Sequence, residues 1–151
     1  MSDAPALSPH IETIETYFRK VGAGDHSLLD LFTDDFEFHF PKFGIGKGKA
    51  DFQVFAERGG AFLESLGHNF GDFRYIVAGD AIVLEGTEYG MTRAGERWPD
   101  KQISHGRFCS VFNFDGPLIC RMYIYVDPDF TSADADRVRI FHRGTQDGGG
   151  S

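Results

Sequence analysis

The spacing of apolar residues in the first part of the chain predicts three helices. The first covers residues 9–22, where apolar side chains recur every three or four positions, and Ser8 before it is a favourable N-cap. Asp25 is placed to cap a short second helix. A third helix is predicted over 49–66, although glycine at 59–60 costs a helix about 1 kcal/mol per residue relative to alanine. A kink, or the close approach of another backbone, would explain this glycine pair.

Alternation of apolar and polar residues predicts strands in the rest of the chain. In FEFHF, residues 36–40, the three phenylalanines share one face, Glu37 and His39 share the other, and Pro41 ends the run. The glycine-rich segment GIGKGK that follows is predicted to be a loop. Further strands are predicted over 68–78, 81–93, 102–114 and 117–126. Helices followed by a run of antiparallel strands indicate an α+β fold.

The FDGP turn at 114–117 predicts a hairpin between the last two strands. If residue 113 pairs with residue 118, Ser110 lies opposite Arg121 and Phe108 lies opposite Tyr123. Counting faces from this register predicts which side chains lie on the concave side of the sheet: Glu88, Ser104, Ser110, Arg121, Tyr123 and Tyr125. Phe38 and Phe40 are predicted to lie opposite these side chains, whereas the same parity puts His39 and His105 on the outer face.

Length and charge narrow the class of protein. A chain of 151 residues indicates one domain, which we place at 8–130; residues 1–7 and the glycine-rich tail 144–151 are predicted to be disordered, and 131–143 to be a C-terminal extension. The 15 Lys and Arg against 23 Asp and Glu give a net charge of −8, which argues against a nucleic-acid partner. No apolar run of about 18 residues is present to span a membrane, and no secretory signal is visible. We therefore expect a soluble, cytoplasmic protein.

The count of aromatic residues points to either a filled core or a lined pocket. The chain has 16 phenylalanines, five tyrosines and one tryptophan. Composition leaves open whether these rings only pack together or also line a pocket for an apolar small molecule. The six histidines have neither H-x-H nor H-E-x-x-H spacing, so no metal site is predicted.

Three segments of the chain resemble the nuclear transport factor 2-like superfamily, in its SnoaL-like and ketosteroid isomerase-like branch. They are YFRKVGAGD, LFTDDFEFHFP and FNFDGPLICRMYIYVDPDF, and the order of predicted elements agrees over 8–130. The resemblance implies a curved antiparallel sheet wrapped around the N-terminal helices, a cone-shaped, cystatin-like α+β barrel. It also implies a deep pocket and, often, a homodimer.

The catalytic residues of two related enzymes are only partly matched. Tyr17 falls where ketosteroid isomerase has its oxyanion-hole tyrosine, but the position of that enzyme's aspartate base is Phe40 here. The arginine of limonene epoxide hydrolase aligns with Gly86, and its two aspartates align with Glu88 and Tyr123. The resemblance therefore implies the fold and a pocket, but neither of these two mechanisms.

Glu88 is the candidate general base. Burial in an apolar pocket disfavours a charged carboxylate unless a cation lies within about 4–6 Å. Arg121 is predicted to be that cation, so Glu88 is either a base tuned by its surroundings or half of a structural ion pair. His105 is a second candidate acid or base, because a β-bulge near Gly106 would turn it inward.

Tyrosine hydroxyls are candidate donors to a developing enolate oxygen, because a phenol donates a hydrogen bond without carrying charge. Tyr17 is the first candidate, with Tyr123 or Tyr125 from the last strand; for each, simple core packing is the alternative. The residues predicted to bind substrate are Arg121, Tyr125, Phe38, Phe40, Phe108 and Ser110.

Two functions remain open. The first is a cofactor-independent enzyme of the isomerase, dehydratase or cyclase type, which acts by general acid–base chemistry on an apolar cyclic or polyketide-like carbonyl compound. The second is a non-catalytic ligand-binding or dimerisation domain in which Glu88 and Arg121 form a structural pair. Cys109 and Cys120 are predicted to be small buried residues of the outer face, and Asp127 a turn residue near the pocket mouth.

Overall fold

The computed structural model describes residues 8–40, 44–100 and 104–127. Within these ranges the helices are α1 (Pro9–Ala23) and α2 (Gly48–Phe62), with short 3-10 turns at His26–Leu31 and Phe70–Asp72. The strands are β1 (Phe32–Phe40), β2 (Gly44–Lys47), β3 (Leu63–His68), β4 (Arg74–Ala78), β5 (Ala81–Thr92), β6 (Arg97–Trp98), β7 (Arg107–Asp115) and β8 (Leu118–Val126). The predictions for 1–7 and 131–151 lie outside the described residues.

The bounds of α1 follow from its two caps, of which the sequence predicts the first. The Ser8 side chain accepts a hydrogen bond from the Ile11 N–H at 3.2 Å. At the other end Gly24 adopts the left-handed conformation, with φ of 65°, and its N–H donates to the carbonyls of Lys20 and Val21. Glycine is favoured at this position because the left-handed conformation is strained for other residues.

The strands form a curved, unclosed sheet, which confirms the predicted α+β fold. In the described residues the strand order is β2-β1-β8-β7-β5-β3, and β4 and β6 also pair with β5. All pairs are antiparallel except β1 with β8, which is parallel. β5 is therefore the strand on which most others converge.

Several predicted elements differ in their bounds. The strand predicted over 68–78 is interrupted by the 3-10 turn at Phe70–Asp72, so β3 ends at His68 and β4 begins at Arg74. Residues 44–47 form β2, which pairs with β1, rather than a loop. Glycine is disfavoured in strands, but at Gly46 it is required, because a Cβ there would lie 2.2 Å from Cζ of Phe38. The helix predicted to reach residue 66 ends at Phe62, since Leu63 begins the pairing of β3 with β5.

The register of the last hairpin also differs from the predicted one. The strands pair from Asp115 opposite Leu118, and Phe114 opposite Ile119 is followed by Asn113 opposite Arg121. The ladder therefore skips one residue of β8, a β-bulge, and every residue beyond it changes face relative to a regular hairpin. Met122 and Ile124 consequently point into the core, not their odd-numbered neighbours.

A single cluster of buried side chains joins both helices to the concave face of the sheet. Its fully buried members include Ile14, Phe32, Phe36, Leu84, Phe112, Ile119 and Met122. No helix in the described part of the chain has the length and apolar character needed to cross a bilayer.

Candidate functional site

A cavity of about 430 Å³ lies between α1, α2 and the concave face of the sheet. Aromatic rings supply much of its wall: Tyr17, Phe18, Phe40, Phe52, Phe55, Trp98 and Phe108. Its volume is within the range of small-molecule sites, about 300–1,000 Å³. Composition left open whether the aromatic rings fill a core or line a pocket. The phenylalanines do both, since some fill the core and others line the cavity.

Glu88 and His68 form a buried pair in this cavity. His68 Nε2 lies 3.5 Å from Glu88 Oε2, and the two side chains are only 4% and 6% exposed. The two residues are directly opposite each other where β3 pairs with β5. The imidazole also contacts the rings of Phe18 and Phe108, with centroid distances of 4.5 and 5.3 Å. Electrostatic interactions are strengthened in such apolar surroundings, because water does not screen them.

The backbone on both sides of this pair is fixed by hydrogen bonds outside the regular ladder. The Glu88 N–H donates to the Gly106 carbonyl at 2.7 Å. On the other side, the Asn69 N–H donates to the Thr87 carbonyl at 3.0 Å. These hydrogen bonds therefore fix the backbone at Glu88 and next to His68, and so fix the relative position of the two side chains.

Tyr17 projects from α1 into the same cavity and is 4% exposed. Its ring meets those of Phe18 and Phe32 edge-on, with centroids 5.1 and 5.6 Å apart. Burial raises the pKa of its phenol well above the ordinary value, so the hydroxyl keeps its proton. A protonated phenol in an apolar cavity can donate a hydrogen bond to a ligand oxygen.

The predicted site residues that line the cavity are Glu88, Tyr17, Phe40 and Phe108. Phe38 is buried against the rings of Phe52 and Phe55, but it is not part of the cavity wall. Ser110 points inward and is fully buried, yet it also lies outside that wall, and its hydroxyl has no hydrogen-bond partner among the described residues.

The prediction that Arg121, Tyr123 and Tyr125 face the cavity was wrong, because the β-bulge puts them on the outer face. The Arg121 guanidinium lies 3.6 Å from the centroid of the Tyr123 ring and donates to Asn113 Oδ1 at 3.4 Å. The Tyr123 hydroxyl donates to a Glu37 carboxylate oxygen at 3.5 Å, and Tyr125 is 45% exposed. The cation beside Glu88 is therefore the His68 imidazole, when protonated, and not Arg121.

The hypothesis that His105 turns inward was also wrong. Gly106 does interrupt the strand pattern, with φ of 67°, but the His105 side chain remains exposed. The His105 N–H donates to an Asp127 carboxylate oxygen at 2.6 Å. Asp127 therefore ties the segment before β7 to the end of β8.

His68 is the functional candidate that sequence reasoning missed. It falls at the boundary between the predicted third helix and the following strand. Only the pairing of β3 with β5, between residues far apart in sequence, brings it to Glu88. A strand recognised at 63–68, with Glu88 as partner, would have identified it.

The described residues contain neither a group of metal ligands nor an activated cysteine. In the ranges that the structure describes, no three His, Cys, Asp or Glu side chains are grouped so as to hold a metal ion. Cys109 and Cys120 are free and partly buried, and burial raises the pKa of both thiols. A raised pKa lowers the thiolate fraction, so neither is an activated nucleophile.

Comparison with known proteins gives one family and many similar folds. The model of the SnoaL-like domain matches residues 14–122. An NTF2-like protein of unknown function from Burkholderia pseudomallei is 15% identical, with a TM-score of 0.70 over 88% of this chain and 97% of that chain. TerC, co-crystallised with polyporic acid, is 21% identical, with a TM-score of 0.69 over 87% of this chain and 99% of that chain.

A third solved structure is a candidate polyketide cyclase from Xanthomonas campestris. It is 14% identical, with a TM-score of 0.67 over 79% of this chain and 90% of that chain. None of the curated proteins compared with the chain matches it. At these identities the structural likeness establishes the fold alone.

Proposed function

Because the chain belongs to the SnoaL-like domain family, we propose that it is a cofactor-independent enzyme of the isomerase, dehydratase or cyclase type. Its substrate is an apolar cyclic or polyketide-like carbonyl compound, and its chemistry is general acid–base catalysis. The observation that carries this proposal is the buried His68–Glu88 pair in the wall of a cavity otherwise rich in aromatic rings. A pair of titratable groups in an apolar cleft is a recurrent feature of acid–base sites.

The proposed first step is removal of a proton from the carbon next to the carbonyl. The C–H bond breaks, its proton goes to the Glu88 carboxylate, and its electron pair forms an enolate whose charge lies on the carbonyl oxygen. Tyr17 donates a hydrogen bond to that oxygen, for which its buried, protonated phenol is suited. His68 orients Glu88 and exchanges the proton with it. Isomerisation, dehydration and aldol-type cyclisation all begin with this step.

The relatives support the substrate class. One similar structure is a candidate polyketide cyclase, and another was crystallised with polyporic acid. The seven aromatic rings that line the cavity favour a ligand with a flat, apolar body. The cavity lining also includes Lys20, Asp25 and Glu64, whose charged side chains are partly exposed to solvent, and these suit a substrate with a second polar end.

The test uses 2-tetralone, an apolar cyclic ketone with acidic protons beside its carbonyl. Exchange of these protons in D₂O is followed by NMR, and binding by the fluorescence of Trp98, the single tryptophan of the chain, which lines the cavity. Glu88→Gln should slow exchange at least about 100-fold and leave affinity within about twofold. His68→Gln should slow exchange by a smaller factor, because the base remains.

Glu85→Gln is the matched control, since Glu85 lies on the same strand but is exposed. It should leave both exchange and affinity unchanged. Exchange that persists in Glu88→Gln would contradict the proposed base. Equal loss of folding and binding would instead assign Glu88 to the scaffold and favour the alternative function, a non-catalytic ligand-binding domain.

We also propose that two copies of the chain associate through the outer face of the sheet. Four apolar or aromatic residues are consecutive direct partners across β4, β5, β7 and β8 on this face: Ile76, Val83, Val111 and Tyr123. We call them the outer row. Ile76 is 50% exposed, as is expected of an apolar residue that a second copy would cover.

A second row next to the outer row carries charges of both signs. Glu37 lies directly opposite Lys47 on one side and Arg121 on the other. A twofold axis brings the same patch of each copy together, so a row of alternating charge can pair with itself. This arrangement supports a homodimer in which the apolar row is central.

A further inference from the structure

Asp127, at the end of β8, accepts three hydrogen bonds with one carboxylate. The Ser104 hydroxyl donates to Oδ1 at 2.8 Å, and the His105 and Arg107 N–H groups donate to Oδ2 at 2.6 and 3.1 Å. In return, the Asp127 N–H donates to the Arg107 carbonyl at 2.9 Å. A carboxylate with three donors fixes the 104–107 segment more closely than a turn residue would need to.

The same segment holds the backbone of Glu88. The Gly106 N–H donates to the Ser104 hydroxyl at 3.1 Å, and the Gly106 carbonyl accepts the Glu88 N–H at 2.7 Å. Gly106 has φ of 67°, and a Cβ there would lie 2.3 Å from the Glu88 carbonyl oxygen. The absence of a side chain at Gly106 therefore lets this segment approach β5 at the candidate base. Hydrogen bonds connect Asp127 to Glu88 through only two residues, Ser104 and Gly106.

The segment matters because the regular ladder ends just before Glu88. The last direct pair between β5 and β7 is Thr87 with Arg107. On its other side, Glu88 is opposite His68 in β3. At Glu88, the 104–106 segment thus replaces β7 as the support of β5, and that segment is anchored on Asp127.

We propose that Asp127 is a positioning residue for the His68–Glu88 pair, an inference that rests on the proposed function. Asp127 does not touch the substrate. It fixes the 104–106 segment, which fixes the backbone of Glu88 and so the 3.5 Å separation of carboxylate and imidazole. Displacement of a catalytic group by about 1 Å can reduce a rate about 100-fold, so a remote anchor of this kind affects the rate more than the affinity.

The test separates the maximal rate of 2-tetralone exchange from the dissociation constant measured by Trp98 fluorescence. Asp127→Asn keeps the size of the side chain but turns one acceptor into a donor, which opposes the N–H groups around it. We expect the maximal rate to fall at least about tenfold while affinity stays within about twofold. Ser104→Ala, a second variant, removes the link to Gly106 and should reduce the rate by a smaller factor.

Asp51→Asn is the matched control. Asp51 also accepts a backbone N–H, that of Lys47 at 2.9 Å, but Lys47 is the residue before α2, so this bond holds the start of α2 and does not support β5. It should lower the denaturation midpoint without lowering the exchange rate of the folded protein. If Asp127→Asn and Ser104→Ala both exchange at the wild-type rate while Glu88→Gln does not exchange, the role of Asp127 is wrong and the proposed function stands. Exchange that does not depend on Glu88 would overturn the proposed function and this inference with it.

Discussion

The group beside Glu88 is the imidazole of His68 and not the predicted guanidinium of Arg121, and this changes how the charge of Glu88 is controlled. A guanidinium stays charged, so Arg121 would have held Glu88 as a permanent carboxylate. An imidazole can be neutral or charged near neutral pH, and one proton can reside on either partner of the pair. This property favours a site that first removes and later returns a proton, although the Glu88 carboxylate itself is the base.

At the same scale, the phenol of Tyr17 makes stability depend on alkaline pH. Burial raises its pKa in the folded protein above the ordinary value of 10.0, which applies to the unfolded chain. Above about pH 10 the unfolded chain releases this proton and the folded protein keeps it, so stability is complete below that pH and falls as pH rises. The loss is at most about 1.4 kcal/mol per pH unit for one group.

In Tyr17→Phe, the urea concentration at the unfolding midpoint should therefore fall less between pH 10 and 11 than it does in the wild type. At neutral pH the two proteins should have similar midpoints, because the Tyr17 hydroxyl has no hydrogen-bond partner among the described residues. Tyr75, whose pKa is also raised by burial and by the Glu15 carboxylate, remains and leaves a residual slope. Urea unfolding between pH 7 and 11 measures the difference, and identical slopes would show that the phenol is not buried as described.

At the scale of elements, α2 contains two glycines that no close contact explains. A Cβ at Gly59 or Gly60 would meet no atom within 4 Å among the described residues outside the nearby helix backbone. Of the two alternatives for this glycine pair, a kink or the close approach of another backbone, the second is therefore wrong. Both residues line the cavity, so their absent side chains leave space at its wall.

Gly59→Ala should stabilise the protein by about 1 kcal/mol, the difference in helix propensity between the two residues. Gly46→Ala is the matched control with the opposite sign, because its Cβ would clash with the Phe38 ring and cost about 1–3 kcal/mol. Both are measured by urea unfolding. A destabilised Gly59→Ala would mean that the glycine serves a backbone conformation rather than the space at the cavity wall.

Strand patterns predicted from the sequence were reliable within strands and failed between them. The alternation around Glu88 put its side chain on the concave face, where it lies. In β8 the aliphatic residues Ile119, Met122 and Ile124 are spaced by three and then by two, which marks the bulge, but tyrosines at the alternate positions suit either face. Aromatic residues with a polar tip do not fix a register, because both a pocket and an outer face accommodate them.

The pairing of β3 with β5 could not be read from local pattern. LESLGH, residues 63–68, continues the apolar spacing of α2, so the sequence extends the helix through it. Tertiary pairing overrides this preference, since Leu66 is opposite Gly90 and His68 is opposite Glu88. The candidate site was therefore predicted in part: its carboxylate and its phenol were identified from the sequence, and its imidazole was not.

At the scale of the whole molecule, the two faces of the sheet have different roles in the proposals. The concave face carries the cavity, and the outer face carries the outer row of Ile76, Val83, Val111 and Tyr123. A chain with a net charge of −8 repels its own copies at long range. Association through the outer row must therefore depend on apolar burial at short range and become tighter as salt screens the repulsion.

We expect sedimentation at micromolar concentration to detect a dimer whose dissociation constant falls as salt is raised. Val111→Glu, which adds a charge in the middle of the outer row, should give a monomer with an unchanged circular dichroism spectrum. Val54→Glu is the matched control, because Val54 is 47% exposed on α2 and away from the sheet, and it should remain dimeric. If the wild type sediments as a monomer, no second copy covers the outer row and the proposed interface is wrong. If Val111→Glu stays dimeric, the copies meet through another surface.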